Sequence, residues 1–142
     1  MFEWVDYVHS VLAVAGLKRG AARDRIIDVL ADQRCALTAI EIEDILRNHG
    51  EATARASIYR VLDLLVEHGL VERVVVDPGE ARFEPVDPGG RHHHHLICGQ
   101  CGRLEPFDDP GLERAITRLS DRLGARVETH EVLLRGACSR CN

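Results

Sequence analysis

Apolar residues in the first half of the chain return every three or four positions. Trp4, Val8, Val11, Leu12 and Ala15 keep that step and predict a helix over about 3–15. GLKRG at 16–20 breaks it. A second helix is predicted over 21–32, with Ile26, Ile27 and Leu30 on one side and Arg23 and Arg25 on others. Thr38 followed by Glu41 has the spacing of a capping box, and Ile42, Ile45 and Leu46 carry that helix to Gly50. A fourth helix follows from about 53 to 68 on Ile58, Leu62, Leu65 and Val66, and Gly69 ends it as a C-cap does.

The pattern then changes. VERVVV, the turn signal Asp77-Pro78-Gly79-Glu80 and ARFEPV read as a β-hairpin closed by a Pro-Gly turn. Helices followed by a two-stranded hairpin imply a winged helix-turn-helix. Pro and Gly cluster at Asp87-Pro88-Gly89-Gly90, which marks a hinge between a domain over 1–86 and another over 91–142. In the second domain the pattern predicts strands over His92–Cys98, Arg103–Phe107 and about 126–134, and a helix over about 110–123. The fold class expected is α+β, a winged-helix N-terminal domain joined to a small C-terminal α/β domain.

Composition narrows the picture. At 142 residues and 45 % apolar content the chain suits one medium soluble domain or two small ones. Aromatic residues make up only 4 %, so small cores here have little ring packing, and a structural metal or a dimer interface would support them. The net charge of −5 argues against a chain coated in basic residues for non-specific adhesion to nucleic acid or membrane, while leaving room for one local basic patch. The opening FEWVDYVHSVLAVAG carries Glu3 and Asp6, lacks a basic leader and contains no long unbroken apolar run, so neither a signal peptide nor a membrane span is expected. The expected location is the cytoplasm. In that reducing compartment the five cysteines favour metal ligation over disulfides.

Two of the motifs carry metal chemistry. Cys98-x-x-Cys101 and Cys138-x-x-Cys141 have zinc-knuckle spacing, and four thiolates close a tetrahedral Zn²⁺ shell, which makes the site structural rather than catalytic. The 36 residues between the pairs hold a predicted helix, so the metal would staple an αβ unit at its two ends. A redox dithiol is the alternative reading. Cys35 stands alone, either as a small buried hydrophobe or as a contributor to a second metal site. The four histidines 92–95 lie inside the chain, just before the first cysteine pair, which sets aside a purification tag. On a strand His92 and His94 face one way and His93 and His95 the other, so the run seeds two sites rather than one. Each pair needs further donors, and Glu72, Glu84, Glu113 and His130 are available. His9, His49 and His68 show no ligand-like spacing and read as surface or helix-end residues.

These features together resemble the ferric uptake regulator (Fur) superfamily of metal-sensing bacterial transcription regulators, over nearly the whole chain. The resemblance is carried by GLKRGAARDRIIDVL at 16–30, ARASIYRVLDLLVEHGLVERV at 54–74, RFEPV at 82–86, HHHHLICGQCG at 92–102, Glu113, His130 and CSRC at 138–141. It implies a structural zinc site of Cys98, Cys101, Cys138 and Cys141. It implies a sensing site of Glu84, His93 and His95 near the interdomain hinge, completed by Glu72 or Cys35, since the family's frequent histidine before the third helix is absent here. It implies a further site of His92, His94, Glu113 and His130 in a dimerisation domain. Iron-type members often carry aspartate where His94 stands, and zinc-type members a cysteine near Val86, so His94 leans toward zinc while Glu84 and Val86 lean toward iron or manganese. The effector is left open among Zn²⁺, Fe²⁺, Mn²⁺ and Ni²⁺.

Within such a fold Arg55, Ser57, Tyr59 and Arg60 cluster toward the start of the recognition helix, where base edges and phosphates are met. Lys18, Arg19 and Arg23 would reach backbone or minor groove, and residues 16–25 carry four cations against Asp24 alone, a local charge of 4 − 1 = +3. The expected protein is therefore a homodimeric repressor of metal-uptake or metal-homeostasis genes. It is expected to bind a palindromic operator when its metal is present, and to lack both catalytic activity and a small-molecule substrate. The rival classes are a metal-storage or chaperone module, which has no need of a Tyr-Arg helix and wing, and a zinc hydrolase, for which the chain offers neither H-E-x-x-H nor a nucleophile motif.

Overall fold

The computed structural model describes residues 2–33, 36–77, 79–90 and 92–142. Cys35 and Pro78 lie outside the described residues. The chain divides into two units, Met1–Arg91 and His92–Asn142.

In the first unit α1 (Phe2–Val14) buries Trp4, Val8 and Leu12, each four residues from the last, which is one stripe of a helix. α2 (Ala21–Asp32) buries Ile26, Ile27, Val29, Leu30 and Ala31. α3 (Ala39–Asn48) begins with the capping box read from the sequence: Glu41 N–H donates to Thr38 Oγ1 at 3.1 Å, and the Glu41 carboxylate accepts from Thr38 N–H at 3.3 Å. Two amide groups that a helix start leaves unpaired are satisfied in this way. α4 (Arg55–Glu67) buries Ile58, Leu62 and Leu65.

α3 and α4 end alike. His49 and His68 occupy the C-cap positions, with Nδ1 at 2.8 Å from the Ile45 carbonyl and 2.9 Å from the Leu64 carbonyl. Each precedes a glycine in the left-handed region, Gly50 at φ 71° and Gly69 at φ 69°. These imidazoles occupy carbonyls that the last helical turn leaves open. The hairpin is β1 (Val71–Asp77) paired antiparallel with β2 (Glu80–Pro85), with an irregularity between Val75 and Asp77. Phe83, buried on β2, pairs with Leu37 ahead of α3 in an isolated antiparallel bridge. The core of this unit runs continuously from Trp4 to Phe83. After the hairpin, Asp87 Oδ1 accepts from Gly89 N–H at 2.8 Å and Gly90 takes φ 71°, which forms a tight turn.

The second unit contains β3 (His94–Cys98), β4 (Leu104–Phe107), α5 (Pro110–Leu123) and β5 (Leu133–Gly136). The sheet order is β4-β3-β5, with β3 antiparallel to β4 and parallel to β5. α5 starts at Asp109, whose Oδ1 accepts from Gly111 N–H at 2.8 Å, with Pro110 in the first turn, and stops at Gly124 at φ 63°. The last strand differs from the expectation of about 126–134, because β5 pairs only along the register His95↔Leu133 to Cys98↔Gly136. Val132 falls opposite His94 and accepts from His95 N–H at 3.1 Å, while residues before it would face positions ahead of β3. His130 therefore sits on the irregular segment before β5 rather than on the strand.

Thr38→Ala removes the cap and is expected to lower unfolding free energy by about 1 kcal/mol. Leu62→Ala empties a fully buried site and is expected to cost about 2–5 kcal/mol. Urea denaturation followed by helical circular dichroism checks both, and equal losses would contradict the assignment of one to a cap and the other to the core.

Candidate metal centres and DNA-binding face

β3 places the chemistry of the second unit. It runs HHLIC, and the parallel pairing with β5 puts the C-terminal ends of the two strands side by side, with Cys98 in register with Gly136. A cysteine pair follows each strand at that same end. Separation along the sequence therefore places no distance between Cys98-x-x-Cys101 and Cys138-x-x-Cys141. Their four Sγ atoms all lie within 4.8 Å of one another, and Cys101 Sγ is 3.7 Å from Cys138 Sγ. A tetrahedron with Zn–S bonds of about 2.3 Å has edges of about 3.8 Å. The spacing already fits that ion.

The thiols are electrostatically unequal. The Cys98 thiol is pulled down to about 6, chiefly by backbone N–H groups, first that of Cys101, whose N–H donates to Cys98 Sγ at 3.4 Å. Cys141 is pushed up to about 12, first by its interaction with the Cys138 side chain and then by burial. One sulfur, that of Cys98, is thus prepared as a thiolate while that of Cys141 resists ionisation. A divalent cation supplies the positive charge that lets the set ionise together.

A second cluster lies at the opposite end of β3. His92, His94, Glu113 and His130 bring their ligand atoms within 4.8 Å of one another. Glu113, in the first turn of α5, accepts from His94 Nε2 at 2.6 Å on one carboxylate oxygen and from His130 Nε2 at 2.8 Å on the other. These bonds, the His94 one foremost, hold the Glu113 carboxyl below the usual carboxylate range. The His92 ring stands edge-on to those of His94 and His130, at 4.4 and 4.6 Å between centroids. His94 is 1 % exposed, and its Nδ1 has no hydrogen-bond partner among the described residues. Three imidazoles gathered around one carboxylate are a group that could hold a divalent cation.

His93 and His95 pair separately, their rings 4.8 Å apart and edge-on. The two remaining candidates stand in the first unit, where Glu84 is buried on β2 and lies directly across the hairpin from Glu72, which is exposed on β1.

Several of the basic residues singled out in the first unit are engaged within it. Tyr59 is 45 % exposed on α4, and Arg60 Nη2 donates to Ser57 Oγ at 3.1 Å one turn away. Arg55 is drawn elsewhere, its Nε donating to Glu43 of α3 at 2.7 Å. Ahead of α2, Arg19 Nε donates to Asp24 at 3.0 Å, and Arg23 Nη1 donates to the Lys18 carbonyl at 2.8 Å, which closes the GLKRG break into a turn. Sequence reasoning counted Asp24 only as a charge and passed over Glu43. Asp24 meets Arg19 five residues away, whereas the Glu43 partner, Arg55, is set by the contact of α3 with α4.

The ferric uptake regulator family model matches residues 14–135. The ferric uptake regulation protein of Bordetella parapertussis is 33 % identical over 135 residues, covering 93 % of this chain and 94 % of that one. Among solved structures, the Vibrio cholerae ferric uptake regulator, described for a rearrangement of its DNA-binding domains, superposes with a TM-score of 0.80 at 31 % identity, covering 91 % of this chain and 98 % of that one. The Pseudomonas aeruginosa regulator solved with manganese gives 0.72 at 29 % identity, covering 92 % and 97 %. With the family model matching residues 14–135 and relatives above 30 % identity aligned over nearly the whole chain, the chain belongs to the ferric uptake regulator family of metal-responsive transcriptional regulators.

Proposed function

We propose that this protein is a homodimeric repressor of metal-uptake or metal-homeostasis genes that binds a palindromic DNA operator when a regulatory divalent metal is present. The observation that carries this reading is the pair of clusters at the two ends of β3, one of four thiols and one of three imidazoles around a carboxylate. Cys98, Cys101, Cys138 and Cys141 would hold a structural Zn²⁺ with no open position, which suits a staple and not a hydrolase. His92, His94, Glu113 and His130 would hold a further ion within the second unit. The sensing set, read from the sequence, takes Glu84 from the first unit and His93 and His95 from the second, with Glu72 or Cys35 as the completing ligand. Metal occupancy would then be coupled across the hinge at 87–90. Bound metal supplies positive charge that lets thiolates, imidazoles and carboxylates converge, and nitrogen and oxygen donors of this kind accept zinc, iron, manganese or nickel.

Dimerisation is assigned to the second unit. Among the described residues α5 contributes no buried side chain, although Leu112, Ile116, Leu119 and Leu123 recur at helical spacing along it. Leu119 is 41 % exposed and Leu123 66 %, an apolar stripe that a second copy would cover. For DNA we assign Tyr59, Arg60 and Ser57 on α4 to base edges and phosphates, and Lys18 and Arg23 to the flanking backbone. No helix among the described residues is long and apolar enough to cross a membrane. We place the protein in the cytoplasm, as a regulator without catalytic activity.

Affinity for a duplex selected by the wild-type protein from random-sequence DNA, measured by fluorescence anisotropy at fixed salt, is expected to be about 5–150-fold tighter with buffered metal than with chelator. Equal affinity in the two conditions would contradict metal control. In elemental analysis, Cys138→Ser is expected to lose about one tightly held zinc per chain. Full zinc retention by that variant would overturn the four-cysteine assignment.

A further inference from the structure

α4 opens with a cation where a helix favours an anion. Arg55 is its first residue, next to the positive end of the macrodipole, its first turn holds no acid, and its N-cap is Ala54, whose side chain accepts no hydrogen bond. The charge is met by α3 instead. Glu43 Oε2 accepts from Arg55 Nε at 2.7 Å, while Oε1 accepts from Arg47 Nη2 at 2.9 Å. Arg47 Nη1 in turn donates to Asp44 at 2.8 Å. The Glu43 side chain is 16 % exposed, against 58 % for Arg47 and 54 % for Arg55, so the carboxylate is the inner member and the arginines close over it. The Arg55 bond holds the Glu43 carboxyl below its ordinary range.

Beneath this network Ile42 and Leu46 of α3 and Ile58 and Leu62 of α4 are fully buried. Apolar packing brings the helices together but is tolerant of small rotations, whereas a charged bond at both oxygens of one carboxylate is directional. We propose that Glu43 and Arg55 are positioning residues that fix the first turn of α4 against α3, and that Arg55 is committed to this pair and is not a DNA contact. The inference rests on the reading of α4 as the DNA-facing helix. Its consequence is that Tyr59 and Arg60, one turn further along, are aimed by a residue that never touches the operator.

The test uses the full chain loaded with Zn²⁺ and the duplex selected by the wild-type protein, titrated by anisotropy over a series of salt concentrations. Each neutralised phosphate contributes about 0.9 to the slope of log affinity against log salt. Arg55→Ala and Glu43→Ala are each expected to weaken binding by about tenfold, a fraction of what good base contacts contribute, with the slope unchanged and the double variant no weaker than either single one. A slope lower by about one in Arg55→Ala, together with tighter binding by Glu43→Ala, would overturn the proposal and make Arg55 a phosphate contact that Glu43 restrains. A second readout needs no DNA. Amide exchange at Ser57 and Ile58, whose N–H groups donate to the Ala54 carbonyl at 2.9 and 3.1 Å, is expected to quicken in both variants, and unchanged exchange would also overturn it. Failure of the wild-type chain to bind any duplex counts against the regulator reading alone.

Discussion

The parallel ladder between β3 and β5 holds the chemistry of the second unit together, because two strands running the same way finish at the same edge. The ladder converts cysteine pairs 36 residues apart in the sequence into one cluster, and it sets His130, just ahead of β5, beside the start of β3. α5 is the crossover that a parallel pair requires, and it delivers Glu113 in its first turn to the same end as His94 and His130. Loss of the ladder would scatter both ligand sets at once.

The same unit is poorly provided with apolar core. Its buried side chains are Ile97, Leu104, Cys98 and Cys138 together with His94 and His95, and among the described residues α5 adds none. The first unit, by contrast, buries a continuous cluster from Trp4 to Phe83. A small domain whose interior is largely imidazole and thiol must draw stability from what those groups bind and from what covers its apolar helix. On the proposed reading, metal ligation and self-association would then be conditions of folding as well as of function. The depressed Cys98 thiol and the raised Cys141 thiol show that the sulfurs of this cluster are electrostatically unequal.

Much of this was legible in the sequence, for identifiable reasons. Helical periodicity located α1 to α4 because α1, α3 and α4 each bury a stripe and α2 a broader side, and the Thr38–Glu41 capping box announced α3 because a cap is a local contact. The histidine run divides as the parity of an extended segment predicts, although β3 begins at His94 and His92 and His93 precede it, so the expected strand over His92–Cys98 is two residues shorter. Contacts settled by tertiary placement were harder to foresee. Glu43 sits twelve residues before Arg55, and nothing in that spacing distinguishes it from the other acids of α3. The start of β5 depended on where β3 begins, which a single strand's own pattern does not state. His49 and His68 had no ligand-like spacing, and their use as C-caps appears only once the helix ends are fixed. The regulatory metal stayed open because imidazole and carboxylate donors are shared by several ions.

The central claim is that alternate histidines of the run 92–95 serve different metal sites. Titration of the full chain with Co²⁺, followed by visible absorption, tests it most directly when His92→Ala/His94→Ala is compared with His93→Ala/His95→Ala. The account predicts that each paired variant loses a different binding event, keeps the other, and keeps the thiolate-to-metal band of the cysteine cluster. If either paired variant abolished both histidine-dependent events, or if the two variants lost the same one, the run would serve a single site and the account would be wrong.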